Sequence, residues 1–203
     1  MNPPRLLRVA VFILAAAPGV ALALDFASGS LATPYRTILR ETGLWSMRLL
    51  VLGLLLSPLA RLAGSALLAV PRRMVGLFAA AYGFAHGWAW CRQYGYDWAF
   101  LLGELPRPYL LAGLASLLLL VPLVATSSAL ARARLGAAWA RLHRLAVPVA
   151  ILAAMHFLLS RALPPRESLV HAALLALALA ERVVVAWREK TGPRGRDGRT
   201  PLR

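Results

Sequence analysis

Three imidazoles, His86, His143 and His156, sit inside or at the edge of long apolar stretches in a chain of 203 residues that has four histidines. A polar ring surrounded by hydrocarbon is costly, so histidines in such segments face a bundle interior and hold a metal, a proton or a neighbouring helix. The chemistry open to them depends on which of them lie at one depth, and depth depends on the elements that carry them.

Those elements are membrane helices. Apolar residues make up 60% of the chain, mean hydropathy is +0.65, and the apolar residues come in blocks long enough to cross a bilayer at about 20 residues per crossing. Windows of about 19 residues predict an all-α, polytopic membrane bundle of about six helices, near Leu6–Leu24, Leu44–Leu62, Met74–Cys91, Tyr109–Thr126, Leu142–Ser160 and Leu169–Trp187. Breakers fall at or near the span ends: Pro58, Pro71, Pro106, Pro108, Pro164 and Pro165. No internal repeat is evident. Residues 1–187 read as one membrane domain, and 188–203 as a basic, disordered cytoplasmic tail that lies on the lipid surface. The first block resembles a secretory signal through its basic start and Ala21-Leu22-Ala23, but it is read as the first span.

The net charge of +15 would suggest nucleic acid in a soluble protein. Here it is mostly arginine between apolar blocks, so it is a topology signal and no nucleic-acid partner is expected. Arg5, Arg8, Arg61, Arg72, Arg73, Arg132, Arg134, Arg141 and Arg144 fall on one side with the basic tail. The rule that positive loops stay inside then puts both termini in the cytoplasm, the setting being a bacterial inner membrane. Cys91 is the one cysteine, which excludes an internal disulfide, a CxxC pair, a cysteine-ligated cluster and the covalent attachment of a c-type haem.

With that orientation His86 lies 13 residues past Arg73, about 20 Å up in the outer half of the membrane. His156 lies 13 residues past His143 at the same level. Two imidazoles at one depth on two helices supply both axial ligands of a b-type haem. Gly83, Gly87 and Ala89 around His86, and Ala153 and Ala154 before His156, remove bulk. Arg92 and Arg161, a turn or two above, are placed to meet haem propionates. His143, alone at the cytoplasmic mouth opposite Arg72 and Arg73, is either a lone ligand of a second, inner haem or has no such role. Ideal helix phase turns it about 220° from His156 unless Pro148 kinks the helix. His171, at the outer start of the sixth span, is assigned no role, and no residue is assigned a catalytic one. Trp88, Trp90, Tyr94, Tyr96 and Trp98 read as an interfacial belt.

Ordered motifs accompany these residues: Thr42-Gly43, Ser57-Pro58-Leu59, Pro71-Arg72-Arg73-Met74-Val75-Gly76-Leu77 leading to His86, Arg107-Pro108-Tyr109, Thr126-Ser127-Ser128, and Leu135-Gly136 with Trp139 and Leu142-His143. With them the chain resembles the MsrQ (YedZ) family, the haem-binding membrane subunit of the bacterial periplasmic methionine sulfoxide reductase system, within the ferric-reductase-like transmembrane group. It departs at Arg144 to Pro148, where relatives tend to carry a tyrosine. The resemblance implies an electron-transfer subunit, not the catalytic one, that takes electrons from the quinone pool through haem to a periplasmic molybdopterin-containing partner for repair of oxidised proteins. It also implies FMN. The haem count, one or two, stays open. The alternatives are a metalloreductase-type module fed by a separate flavin reductase, since no G-x-G-x-x-G unit or room for a nucleotide-binding fold follows the last span, and a haem-free transporter.

Overall fold

In the computed structural model, which describes residues 3–160 and 165–191, every regular element is helical. Nine α-helices follow in order among the described residues: α1 (Pro3–Ala27), α2 (Pro34–Leu62), α3 (Arg72–Gln93), α4 (Trp98–Glu104), α5 (Pro108–Ala125), α6 (Ala129–Leu135), α7 (Ala137–Leu142), α8 (Ala146–Leu159) and α9 (Pro165–Thr191). Short 3-10 turns at Ala66–Ala69 and His143–Leu145 lead into α3 and α8. The fold class expected from sequence, a polytopic helical membrane bundle, is borne out.

Local chemistry sets the boundaries. Pro34 and Pro108 open α2 and α5, where a missing N–H costs nothing and φ is already helical. Asp97 caps α4 by accepting from the Phe100 N–H at 3.1 Å, and Ser128 caps α6 by accepting from the Ala131 N–H at 3.0 Å. Gly136, at φ 50°, separates α6 from α7.

Five stretches are long and apolar enough to cross a bilayer: Pro3–Ala27, Pro34–Leu62, Ala66–Gln93, Pro108–Ala125 and Ala137–Leu159. The sixth expected span lies in α9, which is not among those five and carries Glu181 and Arg182 in its second half. The tail expected from Arg188 starts inside α9; residues 192–203 lie outside the described residues.

The centre of the bundle is two helix pairs, α2 on α3 and α5 on α8, which meet where α3 touches α5. Ala80, Leu120, Leu123 and Val149 form the core between the pairs. On one flank α9 brings Leu175 and Ala178 against Met47, Val51, Leu54, Ala150 and Ala154. On the other, α1 lays Ala15 against Leu49, Leu56, Val75, Ala79 and Tyr82. Between Arg8 and Asp25 the remaining surface of α1 is apolar and exposed, with Leu14 at 70%, as a lipid-facing helix should be.

The dock of α1 has a specific fastening. Pro18 lies inside α1 and has no N–H to give to the carbonyl four residues back. One residue on, the Tyr82 hydroxyl enters the ladder: it donates to the Ala15 carbonyl at 2.8 Å and accepts from the Gly19 N–H at 2.8 Å. It therefore bridges two groups that a regular helix would join directly. A Cβ on Gly19 would come within 3.0 Å of that hydroxyl, so the glycine makes the insertion possible.

Candidate functional site

His86 and His156 come together between the two central helix pairs. Their ring centroids are 5.8 Å apart and the planes are crossed at 83°. Each ring turns its Nδ1 to a backbone carbonyl on the neighbouring helix, His86 to Leu39 at 2.8 Å and His156 to Tyr109 at 2.7 Å. A carbonyl oxygen only accepts, so both Nδ1 atoms must carry the proton and both Nε2 atoms keep a bare lone pair, the form a metal requires.

The seats are built alike. His86 rests on Gly43 of α2, where an added Cβ would meet its Nδ1 at 2.7 Å, and His156 rests on Gly113 of α5, where the distance would be 2.6 Å. One turn further on, Ser46 donates to the Ala79 carbonyl at 2.9 Å and Ser116 to the Val149 carbonyl at 3.0 Å. Both imidazole bonds span 47 positions and both serine bonds span 33. A constant offset of 70 positions thus carries Leu39, Gly43, Ser46, Ala79 and His86 onto Tyr109, Gly113, Ser116, Val149 and His156. The α2/α3 and α5/α8 pairs are an internal repeat that the sequence does not announce.

Both rings line a cavity of about 670 Å³ together with Gly43, Gly113, Ser46 and Ser116, a size ordinary for a cofactor site. Gly83, Gly87 and Ala153 also line it, while Ala89 and Ala154 are buried and not in its wall. Trp88, Trp90 and Tyr94 of the expected belt contribute to the wall as well. A macrocycle fits the donors present. His86 and His156 would supply imidazole ligands to the metal of such a macrocycle, whose own nitrogens would fill the remaining positions. The buried Oε1 of Gln93, in the same wall, has no hydrogen-bond partner among the described residues, an acceptor that awaits a donor.

Arg92 sits over the rings of Tyr35 and Tyr96, at 4.7 and 5.9 Å from their centroids, and Arg161 lies outside the described residues. The arginines in the cavity wall are Arg36 and Arg40, which sequence reasoning missed; Arg40 also pairs with Glu41 at 2.6 Å. His171 packs against the Phe157 ring at 5.5 Å.

His143 is separate and differently held. It lies in the 3-10 turn His143–Leu145, whose three residues per turn shift its phase relative to α8. Its ring stacks on Trp139 at 4.0 Å, and Arg132 covers the indole at 4.4 Å. The Thr126 hydroxyl donates to the Pro122 carbonyl at 2.6 Å, so at its 3.1 Å contact with His143 it must accept, and Nε2 carries the proton. This is the opposite tautomer to the other two.

Residues 42–154 match the family model described as "Ferric reductase like transmembrane component". The chain is 38% identical over 202 residues to the "Protein-methionine-sulfoxide reductase heme-binding subunit MsrQ" of Rhodospirillum rubrum, covering 97% of this chain and 94% of that one. It is 39% identical to the protein of that name from Xanthomonas campestris pv. campestris, strain 8004, covering 80% and 74% of the two chains. It is 35% identical to that of Bordetella pertussis, covering 82% of each. No solved structure matches.

Proposed function

Because this chain belongs to the MsrQ family, within the ferric-reductase-like transmembrane group, we propose that it is a membrane haem protein that passes electrons to a methionine sulfoxide reductase catalytic subunit. The observation that carries the reading is the facing pair His86 and His156, each with its proton on Nδ1 and its Nε2 free. Among the described residues no three His, Cys, Asp or Glu side chains converge on a metal. Two imidazoles alone suit a metal whose other ligands come with a macrocycle.

Haem supplies a one-electron carrier when bound. The chain's own part is to orient and insulate. Leu39 and Tyr109 hold the ring protons and so fix the ligand tautomer, and the carbonyl bonds make each imidazole a stronger donor. The apolar wall excludes water and keeps the local dielectric low. Arg36 and Arg40 are the arginines of the cavity wall suited to propionates, with Gln93 in the same wall. The haem is of b type, since Cys91 alone cannot make a c-type attachment. The catalytic partner is periplasmic and carries molybdopterin, and the chain sits in a bacterial inner membrane with both termini inside. Electrons come from quinol or from a separate flavoprotein, and FMN belongs to this reading through the family.

Spectra of the purified chain, expressed with ample haem, test it. Reduced-minus-oxidised bands of a low-spin b-type haem are expected, and His86→Ala and His156→Ala should each remove them. Absence of haem from the unaltered protein, or a bis-histidine spectrum that survives either substitution, sinks the reading.

A further inference from the structure

We propose that Gly43 and Gly113 are paired positioning residues, which expose the Leu39 and Tyr109 carbonyls so that each ligand histidine is seated on a helix backbone and presents Nε2 to the cavity. The inference rests on the haem reading above and extends it to the residues that aim the ligands.

Helix geometry supplies the reason. In an α-helix the carbonyl of residue i already accepts from the N–H of residue i+4, and the side chain of i+4 leans back over that same carbonyl. For Leu39 the covering residue is Gly43, and for Tyr109 it is Gly113. With hydrogen at both positions the carbonyl's second lone pair is open, and an imidazole from α3 or α8 takes it at 2.8 or 2.7 Å. A methyl at either place would meet the ring edge at 2.7 or 2.6 Å. The atom met is Nδ1 itself, so the ring cannot both stay and keep its bond. The two seats carry the same offset of 70 positions as the serine bonds beside them, so their loss should act alike on two different helices. Other glycines differ: Gly76 of α3 has nothing within 4 Å of an added Cβ.

The test uses the full chain in detergent, with ¹⁵N-histidine resonance on the haem-free protein and haem titration on the same samples. In the unaltered chain His86 and His156 should both be Nδ1–H tautomers. Gly43→Ala should disturb the His86 signal alone and Gly113→Ala the His156 signal alone. Each should weaken haem retention by about 10- to 100-fold, the usual cost of losing a partner one shell out from the metal, and shift the low-spin resonance of what haem remains. Gly76→Ala should change neither readout. An Nε2–H tautomer at either histidine of the unaltered chain overturns the proposal. So does wild-type haem retention in Gly43→Ala or Gly113→Ala, or a loss confined to one of the two. If a variant does not accumulate, the tautomers of the unaltered chain decide. If the unaltered chain binds no haem, the functional reading fails while the tautomer measurement still decides this one.

Discussion

A ring nitrogen opposite a carbonyl must be a donor, and that one fact separates His86 and His156 from His143. The first two keep Nε2 free in a shared cavity, while His143 spends its Nε2 proton on Thr126 and lies flat on Trp139. His143→Ala is therefore expected to leave the bis-histidine spectrum proposed for that pair intact, and a variant that loses that spectrum would place His143 in the same site. A second expectation concerns charge. Arg36 and Arg40 in the cavity wall would favour the reduced, less positive form of a haem held there, so replacing both by Met should lower its midpoint potential by some tens of millivolts, less at high salt. Arg92→Met should lower it less, because that guanidinium is held over Tyr35 and Tyr96; the reverse order in a redox titration would contradict the assignment. The paired histidines were legible in the sequence because imidazoles are rare there and their depth could be counted. Their partners were not, because backbone carbonyls leave no mark in a sequence and any residue can supply one. The repeat stayed hidden for the same reason: Gly, Ser and His recur at the offset, but Leu39 matches Tyr109 and Ala79 matches Val149.

Hydropathy located the membrane helices but began α2 ten residues late. The expected start was Leu44, while the helix runs from Pro34, because Arg36, Arg40 and Glu41 lower the window average without opposing helix formation. That missed extension carries Leu39, Arg36, Arg40 and Gly43, so the hidden half of the site and the hidden start of the helix are one omission. The short helices α4, α6 and α7 were unseen because six or seven residues hold too few turns to show a period. Helix α1 was seen as a span, but its fastening was not, since it depends on a hydroxyl from α3 reaching a gap beside Pro18. Tyr82→Phe removes that hydroxyl and leaves the Ala15 carbonyl and Gly19 N–H unpaired in an apolar setting, a loss of about 1–3 kcal/mol. Earlier thermal unfolding and faster proteolysis within α1, with the haem spectrum unchanged, are expected. Unaltered stability would mean that α1 closes its own ladder.

The whole molecule is asymmetric along its axis. The histidine site lies at the end of the bundle where α2 and α5 begin and α3 and α8 finish, since its carbonyls belong to Leu39 and Tyr109 near two helix starts. The opposite end gathers cations: Arg61 paired with Glu181 at 2.6 Å, Arg72 on Ser57 at 3.0 Å, Arg182 reaching the Leu54 carbonyl at 3.4 Å, and Arg132 above Trp139. In the proposed orientation, which keeps the more basic end inside, the histidine pair would lie near the outer face, about 20 Å from the level of His143 along the helix rise. A carrier so placed exchanges electrons readily with a protein outside and poorly with one inside unless a second group bridges the distance. Sealed vesicles with the basic face inward make this measurable. Reduced haem should be reoxidised by an impermeant oxidant such as ferricyanide added outside, and several-fold more slowly by the same oxidant trapped inside. Detergent should erase the difference, because it admits the oxidant to both faces. Equal rates from the two sides of intact vesicles would mean that a second redox group lies near His143, and haem content per chain would then have to exceed the one proposed at His86 and His156.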